Sequence, residues 1–324
     1  MNLELARGTR ISSRMRPIVA LGAIPAMMHW RTAAALAQDG QLQGIATTGQ
    51  VGDLIRIIGA DYVDIRALMG PGVDPHLFRA SEQDVIDLID SDIIFYSGLF
   101  LEGNLGEVLE QAENRIPVTA VSAGVPEDEL IQPEDDAFYG NPDPHFWFDP
   151  TLWSFAADEA ARALSEIDGD HADAYVANAE SYKAQLIELD EYAVAQFSRI
   201  PEQSRVLVTA HDAFGYLGRR YGLDVVGLQG ISTATEAGVR DVQSIADLLV
   251  ANEVRAIFVE TSVPERTIES VQVAASDRGW EVAIGGSLYS DAMGDEGTDE
   301  GTYLGMMRYD IDTIVASLIG GEAE

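Results

Sequence analysis

Two short runs of the chain place a histidine behind the same dipeptide: NPDPHFWFDP at 141–150 and GVDPHLFRAS at 72–81. The 324 residues hold only five histidines, so the repeat uses two of a scarce set. Proline fixes its own φ and drives the residue before it into an extended conformation. His76 and His145 therefore leave their turns at a set angle, which suits a ligand better than a core side chain. Two more polar residues follow apolar runs. His211 comes directly after RVLVTA, and Asp291 lies three residues beyond EVAIGGSL. Ligands of open parallel sheets collect beyond the carboxyl ends of the strands, so His76, His145, His211 and Asp291 are expected to meet in one cleft. Three imidazoles and a carboxylate, with no thiolate, suit Zn²⁺ or Mn²⁺, and Fe²⁺ less well.

Glu260 closes the run RAIFVE and faces the same cleft on this reading. It could be a ligand, the support of a ligand, or the partner of an arginine such as Arg240. Four donors already close a site, so support is the expected role. His171 opens a long helical stretch and is expected to be solvated.

The elements that must carry these residues alternate. GIATTGQVGDLIRIIGA reads as strand, turn and helix, residues 63–69 as a second strand, and SEQDVIDLIDS as a helix capped by Ser81. DIIFYSG is a buried strand and NLGEVLEQAEN another helix. Strand–helix alternation predicts a parallel sheet covered by helices. The acidic, proline-bearing segment 125–143 reads as a long surface loop that delivers the chain to His145. LWSFAADEAARALSEI then restarts as a helix.

Residues 171–200 contain neither glycine nor proline, and Tyr175, Ala179, Tyr182, Leu186, Leu189, Ala193 and Phe197 recur at steps of three and four. One helix of roughly 28 residues, about 42 Å long, is predicted. Alternation resumes after it, with strands at 205–210, 255–260 and 281–288 and a final helix over MMRYDIDTIVASL. The fold class is therefore α/β. Two similar parallel-sheet lobes, 42–168 and 201–320, are joined by one long rigid linking helix, 169–200, with the metal site in the cleft.

Hydrophobic residues make up 47% of the chain, enough for a substantial core. The formal charge of −34 excludes nucleic acid and anionic membrane surfaces as partners. Lys183 is the single lysine, and this acidic, lysine-poor composition suits a saline external medium. Arg7, Arg10, Arg14 and Arg16 precede the apolar PIVALGAIPAMM, and Ala35-Leu36-Ala37 forms an A-x-A pattern. Residues 1–37 are read as a cleavable signal peptide. There is no cysteine, hence no disulfide and no lipid-modified amino-terminal cysteine. The expectation is a soluble periplasmic protein and not a lipoprotein.

GVDPHLF, DIIFYSGLFLEG, DPHFWFDP, VTAHDAFGYLGRRYGL, IFVE and SLYSDAMGDEGTDEGTYLGMM occur in this order. Together they resemble the signatures of the metal-binding solute-binding proteins of ABC importers, the zinc- and manganese-binding TroA-like family. The resemblance spans nearly all of the chain after the leader. It implies two α/β lobes on a rigid helix, with His76, His145, His211 and Asp291 as ligands of one transported metal ion. It also implies a monomer that docks on a membrane permease with its cytoplasmic ATPase. Manganese-selective relatives often carry Glu where this chain has His211. Zinc-importing relatives often carry a histidine-rich loop where this chain has the acidic 125–143, so the metal stays open between Zn²⁺ and Mn²⁺. The competing class is a secreted zinc-dependent hydrolase with Glu260 as base, but the chain has no H-E-x-x-H, no G-x-S-x-G and no P-loop. Capture without catalysis is the expected function.

Overall fold

The computed structural model describes residues 40–133, 138 and 140–320. The expected signal peptide, 1–37, lies outside them. No helix among the described residues is long and apolar enough to cross a membrane.

The amino-terminal half is a parallel sheet in the order β2-β1-β3-β4, formed by β1 (Leu42–Ala46), β2 (Val63–Ala67), β3 (Ile93–Tyr96) and β4 (Val118–Ala120). Helices α1 (Gly49–Gly59), α2 (Glu82–Asp90) and α3 (Gly106–Glu113) make the crossovers. Ser81 caps α2 as its sequence predicts. Its hydroxyl accepts from the Asp84 N–H while the Asp84 carboxylate accepts from the Ser81 N–H, a reciprocal capping box. β4 is additional to the expected strands.

Helices α4 (Pro150–Ile167) and α5 (Ala172–Phe197) lie against each other beneath the cleft. The seven residues that mark the period of α5 are the seven that it buries. Trp153 on α4 donates its indole N–H to the Tyr182 hydroxyl on α5 at 3.3 Å. His171 is half-buried. Its ring stacks on Tyr62 at 3.9 Å and pairs with Asp168 at 2.7 Å, so the expectation of a merely solvated residue is corrected.

The carboxyl-terminal half departs from the first. It holds two parallel pairs, β5 (Val206–His211) with β6 (Asp224–Gln229) and β7 (Ala256–Glu260) with β8 (Ala283–Leu288). The register slips between Ile257 and Phe258, opposite Gly286 at φ 152°. β6 is a second strand beyond those expected. β5 and β7 bury Val208, Ala210, Ile257 and Val259 in one cluster with the helices α7 (Val239–Ala251) and α8 (Arg266–Ser276). A larger core runs through both halves, from Leu54 and Trp153 across Leu189 to Phe214 on α6 (Gly215–Tyr221) at its cap, and to Ile311 on α9 (Tyr303–Leu318).

Candidate metal centre

Each Asp-Pro-His run folds by the same local rule. Asp74 Oδ1 accepts the His76 N–H at 2.8 Å, and Asp143 Oδ1 accepts the His145 N–H at 2.9 Å. An aspartate bonding the backbone two residues on closes an Asx turn, with the proline between them setting φ. In the second run Asp143 also reaches the imidazole, Oδ1 to Nδ1 at 2.7 Å, and so fixes the ring as well as the turn. Phe146, Trp147 and Phe148 then bury themselves in one tight turn, and Asp149 caps α4 with Pro150 at its first position. NPDPHFWFDP is thus a turn, a candidate ligand, an aromatic anchor and a helix start in ten residues.

His211 is the last residue of β5 and Glu260 the last of β7. Glu260 binds His211 twice. Oε1 accepts its N–H at 2.8 Å and Oε2 meets the ring Nδ1 at 2.5 Å. Arg240 stays on the surface, so the expected alternative of an Arg240–Glu260 pair does not form. Asp291 follows β8 on a loop whose Tyr289 N–H donates to the buried carboxyl of Asp310 on α9 at 3.0 Å.

The structure brings His76, His145, His211 and Asp291 together. All four are buried, and one ligand atom from each lies within 4.8 Å of the others. His145 Nε2 and His211 Nε2 stand 3.3 and 3.2 Å from the Asp291 carboxylate, and His76 Nε2 stands 3.6 Å from it. His76 Nε2 and His145 Nε2 are 3.4 Å apart. A tetrahedral ion with bonds of about 2.05 Å spaces its ligand atoms about 3.3 Å apart, close to the His76–His145 separation and to each imidazole's distance from the Asp291 carboxylate. Both Asp291 oxygens and His211 Nε2 are buried without hydrogen-bond partners. Buried polar atoms are costly to leave unsatisfied, and these three belong to one tight cluster, where a cation would satisfy them.

Charge is shared out across the site. Burial drives the His76 imidazole down to about 3, and the nearby Asp291 charge does not offset it. Burial works the same way on His145, but Asp143 and Asp291 outweigh it and raise that ring to about 9. His211 is likewise buried and yet raised well above its ordinary value, by Glu260 and Asp291. Asp291 is held well below the usual carboxylate range, because the charges of His211 and His145 overcome the penalty of burial.

The sequence reasoning missed the two aspartates ahead of the prolines. It credited the turn to Pro75 and Pro144, while Asp74 and Asp143 make the hydrogen bonds. The signal was present in the repeat itself, which runs Asp-Pro-His and not merely Pro-His.

The family described as ZnuA, zinc-uptake complex component A, periplasmic, matches residues 45–317. The manganese-binding lipoprotein MntA of Bacillus subtilis is 47% identical over 86% of this chain and 90% of its own length. The zinc-binding protein TroA of Treponema pallidum is 41% identical over 93% of this chain and 96% of its own. A solved structure of periplasmic zinc-binding TroA from Treponema pallidum superposes with a TM-score of 0.83 at 42% identity, covering 86% of this chain and 99% of that one.

One expectation is overturned here. Composition suggested a protein that is not a lipoprotein, whereas the relatives MntA of Bacillus subtilis and PsaA of Streptococcus mitis are named lipoproteins. The expectation rested on the missing cysteine and on residues 1–37, which lie outside the described structure, so no geometry stood behind it. The aligned length, the shared fold and the family match agree: this chain belongs to the ZnuA family.

Proposed function

We propose that the protein captures a single Zn²⁺ or Mn²⁺ ion on His76, His145, His211 and Asp291 and hands it to the permease of an ABC importer powered by a cytoplasmic ATPase. The observation that carries this reading is the convergence of four buried donors, three of whose atoms have no other partner. The named cargoes of MntA and TroA, manganese and zinc, fit the same donor set. A donor set of three imidazoles and a carboxylate suits Zn²⁺, which also outranks Mn²⁺ in intrinsic affinity. The second Asp291 oxygen offers the extra ligand that the larger coordination shell of Mn²⁺ accepts. We assign the lobes to 42–168 and 201–320, the linking helix to 169–200, and a monomer as the working state.

Capture fits better than catalysis. A catalytic zinc keeps an open position and a free general base, whereas both Glu260 oxygens are engaged by His211. The test is a competition titration against a chelating dye. His76→Ala and His211→Ala should each weaken metal binding by at least about a hundredfold, since each removes a direct ligand. Unchanged affinity in both variants would overturn the ligand set.

A further inference from the structure

His76 differs from the other two imidazoles in how it is held. His145 and His211 each have a carboxylate on Nδ1, Asp143 and Glu260 respectively. His76 is positioned through its main chain. Asp74 Oδ1 accepts its N–H at 2.8 Å, and the Asn104 side-chain amide donates to its carbonyl at 2.9 Å. The other oxygen of Asp74 reaches across the cleft, where Oδ2 accepts from the Thr233 hydroxyl at 2.5 Å. Thr233 is buried and belongs to the opposite half, in the loop between β6 and α7. That loop is rooted at Gln229, the residue that pairs with His211 in the β5–β6 ladder. A connected path thus runs from one ligand, His211, through β6 and Thr233 to Asp74 and the other ligand, His76.

We propose that Thr233 is a positioning residue that latches the two halves across the metal and holds His76 in register through Asp74. Neither the family match nor the ligand set calls for it. The inference rests on the metal-capture reading. Parting of the halves lengthens the Thr233–Asp74 bond first at this edge of the cleft, and the Asp74 turn then loses one of its two anchors. His76, whose ring Nδ1 has no carboxylate behind it among the described residues, is the ligand released. The latch acts on escape of the ion more than on its entry, because the bond forms after the halves meet. Binding changes within one site are generally read in the off-rate.

Stopped-flow release of Zn²⁺ from the loaded protein into excess chelator tests this. Thr233→Val keeps the shape and removes the hydroxyl, and it should speed release about tenfold, the worth of one hydrogen bond to a charged acceptor. Its association rate should move less than twofold. Thr233→Ser, which keeps the hydroxyl, should retain the original release rate. In an Asp74→Ala background the Thr233→Val change should add less than about twofold, because the two act through one bond. An unchanged release rate in Thr233→Val, or equal acceleration with and without Asp74, overturns the latch. If Thr233→Val does not fold, the release rate of Thr233→Ser decides, and a rate altered by more than about threefold counts against the proposal. Failure of the metal-capture reading would look different: the unaltered protein would not hold Zn²⁺ tightly at all.

Discussion

The carboxylates behind the histidines set both the aim of the site and its response to acid. Glu260 has no ion to bind on its own account, since both oxygens serve His211. Glu260→Gln keeps the shape and removes the charge, and should weaken Zn²⁺ binding about ten- to a hundredfold in the dye competition, the usual effect of disturbing such a partner. The pH response follows from His211, whose ring is raised well above its ordinary value, and from His145. Its metal-free ring is raised to about 9 by Asp143 and Asp291 against the opposing effect of burial, so near neutrality Nε2 carries a proton that an incoming ion must displace. Affinity should therefore climb as pH rises toward about 9 and fall as pH drops below it, with protons released on binding. A free imidazole, near 6.5, would start to lose metal only in mild acid. Calorimetry of Zn²⁺ binding in buffers of different ionisation enthalpy at neutral pH measures the released protons, and none released would contradict this account. That His76, His145, His211 and Asp291 gather in one place was legible from the sequence, because histidines are scarce here and stand out. Of their supports, Glu260 was legible at the end of RAIFVE, and its bonds to His211 fit the expected role; Asp74 and Asp143 went uncredited, because aspartate is abundant in this chain and the prolines beside them account for the turn just as well.

At the scale of elements, the strand ends depend on close backbone approach. Gly227 on β6 lies opposite Thr209, and a Cβ built there would come within 2.4 Å of the Asp212 amide nitrogen and 2.7 Å of the His211 carbonyl carbon. Neither can yield without parting β5 from β6. Gly227→Ala should lower stability by about 1–3 kcal/mol, the range for overpacking, and should weaken metal binding because His211 moves with the strand. Thermal melting with a parallel Zn²⁺ titration checks both. The long helix was read from its sequence down to each buried position, since a 26-residue element gives its period many chances to repeat. β4 has three residues, none of them fully buried, and β6 opens on an exposed aspartate and carries Gly227. Neither shows a period or a run, and only the neighbouring strands decide that they pair. The split of the second sheet into the pairs β5–β6 and β7–β8 was equally hidden, because nothing in the apolar runs says which strands will pair.

For the whole molecule, charge and connectivity dominate. A net charge of −34 repels itself most when the chain is compact. Screening should therefore raise the melting temperature steadily between about 0.05 and 1 M NaCl, as the Debye length shrinks to roughly 3 Å; a melting temperature that falls across this range would count against it. The halves are not independent bodies under that load. Asp53 on α1 accepts the Tyr303 N–H at 2.9 Å, although Thr302 already supplies the local cap of α9, and the Tyr303 hydroxyl donates to the Trp147 carbonyl at 2.6 Å. Tyr216 on α6 likewise donates to the Asp143 carbonyl at 2.8 Å and accepts the Ile131 N–H at 3.1 Å. The last helix of the chain is thus seated by residues some 250 positions earlier. A ribosome making this protein must finish Tyr303 before the seam can close, so the nascent amino-terminal half waits with its flank uncovered.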